Sequence, residues 1–173
     1  KKLMLSKYDG IYYIENIDLL IEKIASLVVE SVIYNNKKRK AFKQNLLKGL
    51  ENFYTNSPYT YKIALYNTLA DLNNTTTAYT STDEVTGTGY TATGQSLTPT
   101  GLTLDNDTNT AYVSFNNVVW SPASFTCRGA LIYNSTTGAA CFVLNFGSDK
   151  TATTSFTVQF PTATSTSAIL RLD

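Results

Sequence analysis

The chain has 173 residues, 14 Lys/Arg against 13 Asp/Glu, two cysteines and no histidine. Without histidine it lacks the commonest general base, the usual transition-metal ligand and the ordinary partner of a Ser or Cys nucleophile. Its length suits one domain with a proper core, or a small domain carrying an appended arm.

A composition change favours the second arrangement. Residues 1–61 hold ten Lys/Arg against six Asp/Glu, and the remainder four against seven. The later part is rich in threonine interleaved with Val, Ile, Phe and Tyr, types that fit a pleated, half-buried surface. The expected fold class is therefore α+β by segments: a helical arm over 1–55, a linker over 56–60, and an all-β sandwich or jelly-roll-like domain over 61–173.

The opening Lys-Lys-Leu-Met runs into the mixed segment SKYDGIYYIENID and has no signal-peptide pattern. Asn16 or Asp18 can then cap a helix whose apolar residues Ile17, Leu20, Ile21, Ile24, Leu27 and Val28 follow three-and-four spacing. Val29, Val32 and Ile33 widen that face, as expected of a helix with more than one neighbour. Asp18, Glu22, Lys23 and Glu30 interrupt the stretch, which a bilayer span would rarely tolerate. After NNKK, a second amphipathic stretch begins at Ala41 with Phe42, Leu46, Leu47, Leu50, Phe53 and Tyr54 on its apolar side. TNSPYT reads as the linker, since Pro58 disfavours helix at the residue before it.

Strands are expected at Tyr61–Tyr66, Leu102–Leu104, Thr110–Phe115, Phe125–Tyr133, Ala139–Phe146, Ser155–Phe160 and Ala168–Leu172, with turn signals between them. In SFTVQF, Phe156, Val158 and Phe160 share one side. A hairpin about NSTTG puts Arg128, Ala130, Ile132, Ala140, Phe142 and Leu144 on one face. It puts Cys127, Gly129, Leu131, Cys141 and Val143 on the other, and both faces are largely apolar, as in a strand pair covered on two sides. The cysteines read as buried thiols packing like small hydrophobes. Residues 72–99 read as irregular strands or long loops.

The candidate chemistry is thin. Asp83 with Glu84, and Asp105 with Asp107, are carboxylate pairs among turn formers, where solvated turn residues are the expected role. Asp105, Asp107 and Asn109 have the opening spacing of a calcium loop but lack its glycine and its closing acid, so a hairpin turn is expected. Gly87 and Gly89 in TGTGY have no lysine or helix after them to hold a phosphate. Lys37, Lys38, Arg39 and Lys40 form a basic run that reads as a solvated helix start beside an anionic neighbour rather than a nucleic-acid contact. The Asn-x-Thr sites at Asn73, Asn74, Asn106 and Asn134 follow from threonine abundance. Tyr79, Tyr90 and Tyr112 lie beside polar residues, where an exposed ring can stack on sugar or on another subunit. Trp120 is expected in the core.

The strings KIALYNTLADLNNTTTAYTSTDEVTGTGYTATGQSLT, VVWSPASFTCRGALIYNSTTGAACFVLNFGSDKTATTSFTVQFP and AILRL resemble a group of small virion proteins of tailed bacteriophages. The resemblance spans nearly all of 61–173. It implies a non-enzymatic structural role as a capsid decoration or cement protein without metal or cofactor, forming a homo-oligomer, commonly a trimer, on the major capsid protein or a neighbouring virion protein. It also implies a virion location after assembly in the host bacterial cytoplasm. The arm residues Ile17, Leu20, Ile21, Ile24, Leu27, Val28, Phe42, Leu46, Leu50 and Phe53 are the expected partner-binding set. A head or tail fibre module binding a receptor or glycan is the alternative.

Overall fold

A computed structural model describes residues 5–8, 11–14, 40–54 and 56–172. The first expected helix, with Ile17, Leu20, Ile21, Ile24, Leu27 and Val28, lies outside the described residues, as does the basic run Lys37–Arg39. Strands β1 (Leu5–Tyr8) and β2 (Ile11–Ile14) pair antiparallel, a hairpin that the sequence reading did not anticipate.

Helix α1 covers Lys40–Leu47. The amphipathic pattern continues to Tyr54, but the helix does not. Gly49, at φ 69°, turns the chain, its N–H donates to Leu46 O at 3.0 Å, and Leu50 N–H donates back to Asn45 O at 2.9 Å. Those two bonds close the helix end in the left-handed capping arrangement that glycine accommodates without Cβ strain. Residues 50–54 then run on as irregular chain.

The rest is mostly antiparallel β. The strands are β3 (Tyr61–Tyr66), β4 (Gln95–Leu97), β5 (Pro99–Asp105), β6 (Thr110–Phe115), β7 (Val118–Trp120), β8 (Phe125–Asn134), β9 (Ala140–Ala152), β10 (Phe156–Val158) and β11 (Leu170–Leu172). They form a four-stranded sheet in the order β4-β3-β8-β9, a three-stranded sheet β11-β6-β5, and the pair β10-β7. Among the described residues no helix is long and apolar enough to cross a membrane.

One large cluster gathers side chains from all three sheets, including Ile63, Leu65, Val113, Phe115, Val118, Trp120, Ile132, Phe142 and Val158. Residues 42–53 close it: the Phe42 ring lies 4.6 Å from Phe142, and Phe53 stacks on Tyr61 at 4.7 Å. Trp120 is fully buried. In β10, Phe156 and Val158 turn inward while Thr157 is exposed, as the alternation in SFTVQF requires.

The opposite face of the four-stranded sheet carries a second cluster of Ala64, Tyr66, Leu131, Tyr133 and Ala140, covered by Ala70, Leu72 and Tyr79 from the long 67–94 segment. The two-sided burial expected from the sequence is therefore present. The assignment of residues to faces needs correction at four positions in the β8–β9 hairpin. Between Ile132↔Phe142 and Tyr133↔Ala140 the register shifts by one, so Cys141 joins Phe142 in the large cluster and Ala140 moves to the small one. A second shift between Cys127 and Gly129 turns Cys127 into the large cluster and leaves Arg128 beside Tyr66 and Val143. The first shift is by one residue and the second by three, and with a side-chain period of two an odd shift exchanges the faces beyond it.

Candidate interaction surface

The polar groups buried in the β domain act as fastenings. Glu51, just past α1, is buried; its Oε2 accepts from Tyr61 Oη at 3.2 Å and from Asn134 Nδ2 at 3.1 Å, with Asn45 and the Cys141 thiol beside the carboxyl. Burial pushes the Glu51 pKa above its ordinary value, and the bonds from Asn134 and Tyr61 pull it partly back. This contact ties residues 45–53 to β3 and to the β8–β9 turn. Asn134 Oδ1 meanwhile accepts the Thr136 N–H at 3.0 Å, so this Asn-x-Thr asparagine is internal.

Glu84 fastens the long segment in the same way. Tyr79 Oη and Tyr90 Oη each donate to one of its oxygens at 2.6 Å, and Tyr90 Oη also accepts the Leu65 N–H at 2.9 Å. Tyr79 stacks on Tyr133 at 4.7 Å, and the Tyr90 ring lies against Trp120. Burial drives the Tyr79 and Tyr90 hydroxyls upward in pKa, with the bonded carboxylate adding to it. This corrects two expectations: Glu84 is buried rather than a solvated turn residue, and the Tyr79 and Tyr90 rings pack inward rather than outward. Asp83 does sit in a turn, at φ 61°. Nothing local in the sequence pairs Glu84 with tyrosines five residues before it and six after.

Asp105 turns the β5–β6 hairpin, its Oδ1 accepting the Asp107 N–H at 3.0 Å. Hydrogen bonds from Ser165 and Thr108 hold its carboxyl below the usual range. Gly89, at φ 80°, has no room for a side chain: a Cβ there would occupy the Pro122 carbonyl. The TGTGY glycines therefore serve close packing of loop on loop. Cys127 is a buried thiol pushed up to about 12, chiefly by desolvation, which suppresses thiolate reactivity.

The surface is where contact with other molecules is possible. Of the expected partner-binding residues that are described, Phe42 and Phe53 are buried in the protein's own core, Leu46 packs partly against it, and Leu50 faces out. Leu47 is 91% exposed, and Leu50 and Tyr54 join it on the outer side of the same segment. A second apolar patch lies on the three-stranded sheet, where Leu104 and Leu172 flank Ala111 in one row and Leu102 is also exposed. A recess of about 190 Å³ opens where Arg128, Asn145, Asn67 and Thr68 meet Leu72 and Val143; Arg128 Nη1 donates to Asn145 Oδ1 at 3.0 Å. Compared with models of protein families, with curated proteins and with solved structures, the chain matches none.

Proposed function

We propose that this chain is a non-enzymatic virion structural protein, a capsid decoration or cement protein whose sandwich or jelly-roll-like β domain sits on the head shell as a symmetric oligomer, commonly a trimer. The observation that carries the reading is the two-sided use of residues 42–54. Phe42 and Phe53 anchor the segment to the β domain, while Leu47, Leu50 and Tyr54 of the same segment are exposed. A segment fixed at its back and greasy at its front suits clamping of an adjoining subunit, since covering each large apolar side chain contributes on the order of 1.5–3 kcal/mol. The phage-like strings in 61–173 support the same reading.

The test is to add purified protein to heads that lack it. Wild type binds in hundreds of copies per particle and raises the temperature at which heads open. Replacing Leu47 and Leu50 together with Asp lowers the affinity at least tenfold without altering the fold, because both side chains are exposed. Absence from purified particles, or a few copies at one vertex or at the tail, ends the cement reading.

The second reading, a fibre module binding a receptor or glycan, is favoured by the recess at Arg128, whose amide, hydroxyl and guanidinium groups over Leu72 and Val143 suit a saccharide. Glycan binding lost in Arg128→Ala would decide for it.

A further inference from the structure

Tyr61 Oη is the hub of the contact between residues 45–54 and the β domain. It accepts the Asn52 N–H at 3.1 Å and stands within donating distance of two acceptors, Asn52 O at 3.1 Å and Glu51 Oε2 at 3.2 Å. A phenol has one proton to give. Burial, and then the Glu51 charge, raise the Tyr61 pKa, so that proton stays on the hydroxyl near neutral pH. Which acceptor receives it depends on Glu51. The Glu51 carboxyl is buried, and its Oε1 has no hydrogen-bond partner among the described residues. Two amides, a phenol and a thiol face it: Asn45 from α1, Asn134 from β8, Tyr61 from β3 and Cys141 from β9. Among the described residues no Lys or Arg pairs with it.

Counting protons separates two states of this contact. With a proton on Glu51, Oε2–H can donate to Tyr61 Oη, and the Tyr61 proton is left for Asn52 O. Every group around the hub is then served. Without that proton the carboxylate is the stronger acceptor, because a hydrogen bond to an ionised group is roughly twice as strong as a neutral one. It draws the Tyr61 proton, and Asn52 O loses its donor. Asn52 Oδ1 in turn accepts the Tyr54 N–H at 2.9 Å, so the loss reaches the end of the segment. We propose that Glu51 is a proton-operated latch on residues 50–54: with its proton the carboxyl holds this stretch on the ends of β3 and β8, and without it the stretch opens more often while the sheets stay paired. Such openings are excursions of the native state, distinct from global unfolding. Burial raises the Glu51 pKa above 4.5, so the latch is closed below that value and loosens as pH rises through the folded one. The opening constant grows about tenfold for each unit between the folded and open pKa values. Leu50 and Tyr54 are exposed on this stretch; any effect on head binding rests on the cement reading, and the latch itself does not.

The test follows backbone amide exchange of the full chain at pH 4 and pH 7, corrected for intrinsic rates, beside a carbon-13 titration of the Glu51 carboxyl. In wild type the opening constants at Leu50 and Asn52 rise about fivefold or more, in step with Glu51, while Ile63 in β3 and Leu131 in β8 keep theirs. In Glu51→Gln, which has no proton to lose, Leu50 and Asn52 show no rise. A Glu51 that titrates at or below 4.5 overturns the proposal, as does a wild type whose Asn52 opening ignores pH. An equal rise at Ile63 and Leu131 also overturns it, since the whole domain is then weakened rather than one stretch, and so does a Glu51→Gln that keeps the response. A chain that shows the latch and never binds heads keeps this inference and loses the cement reading.

Discussion

Glu51 concentrates several forces on one side chain. Desolvation disfavours its charge, and two neutral donors partly compensate. Because its folded pKa is raised, the folded state holds the proton to higher pH than the unfolded chain does. Stability from this group is complete below the unfolded value near 4.5 and is lost as pH rises through the higher folded pKa. Glu51→Gln keeps an acceptor for Tyr61 and Asn134 and removes the charge. The expected outcome is a variant more stable than wild type at pH 7 and equal to it at pH 4, read from the difference between their urea midpoints. A difference that grows on acidification would contradict the sign. The apolar pattern around Glu51 was readable in the chain, but its burial was not, because Tyr61 and Asn134 come ten and 83 positions later.

At the scale of elements, the 67–94 segment has little regular structure yet covers a sheet face. Its order rests on the Glu84 clamp and on Leu72 and Tyr79 against the small cluster. Tyr90→Phe deletes the bond to Glu84 and leaves the buried Leu65 N–H without its acceptor. A cost of about 2–3 kcal/mol is expected, accompanied by faster amide exchange at Leu65 and through 78–90, while the β8–β9 hairpin stays protected. Uniform loss of protection would show that the segment unfolds only with the whole domain. The strands themselves were largely visible beforehand: β3 and β6 fall where the alternation put them. β4 and β7, three residues each, gave too short a pattern to register. Helix α1 was visible in its start but not its end, although Gly49 was the available signal.

For the whole molecule, the important relation is between residues 40–54 and the β domain. Phe53 meets Phe42, Tyr61, Phe115 and Phe142, so this segment and two sheets share one core. Phe53→Ala is expected to cost about 3–5 kcal/mol and to lower a single cooperative unfolding transition monitored by tryptophan fluorescence and circular dichroism together. Two separated transitions would mean that the segment detaches by itself. The same packing decides which apolar side chains stay outside. With Phe42 and Phe53 turned inward, the large apolar side chains exposed among the described residues include Leu47, Leu50 and Tyr54 of this segment and Leu102, Leu104 and Leu172 of the three-stranded sheet.

Composition and periodicity by themselves determined that residues 61–173 are mostly β, where the longer strands lie, and that the β8–β9 hairpin is covered on both sides. These follow from local rules: which side chains tolerate a pleated backbone, and a repeat of two. Only the tertiary structure decided which face Cys127, Arg128, Ala140 and Cys141 occupy, since an odd register shift, by one residue or by three, reverses the alternation without leaving a mark in hydrophobicity. It also decided that Glu84 and its tyrosines are internal. Burial and strand neighbours are properties of segments far apart in the chain, and a single sequence read locally holds no measure of their distance.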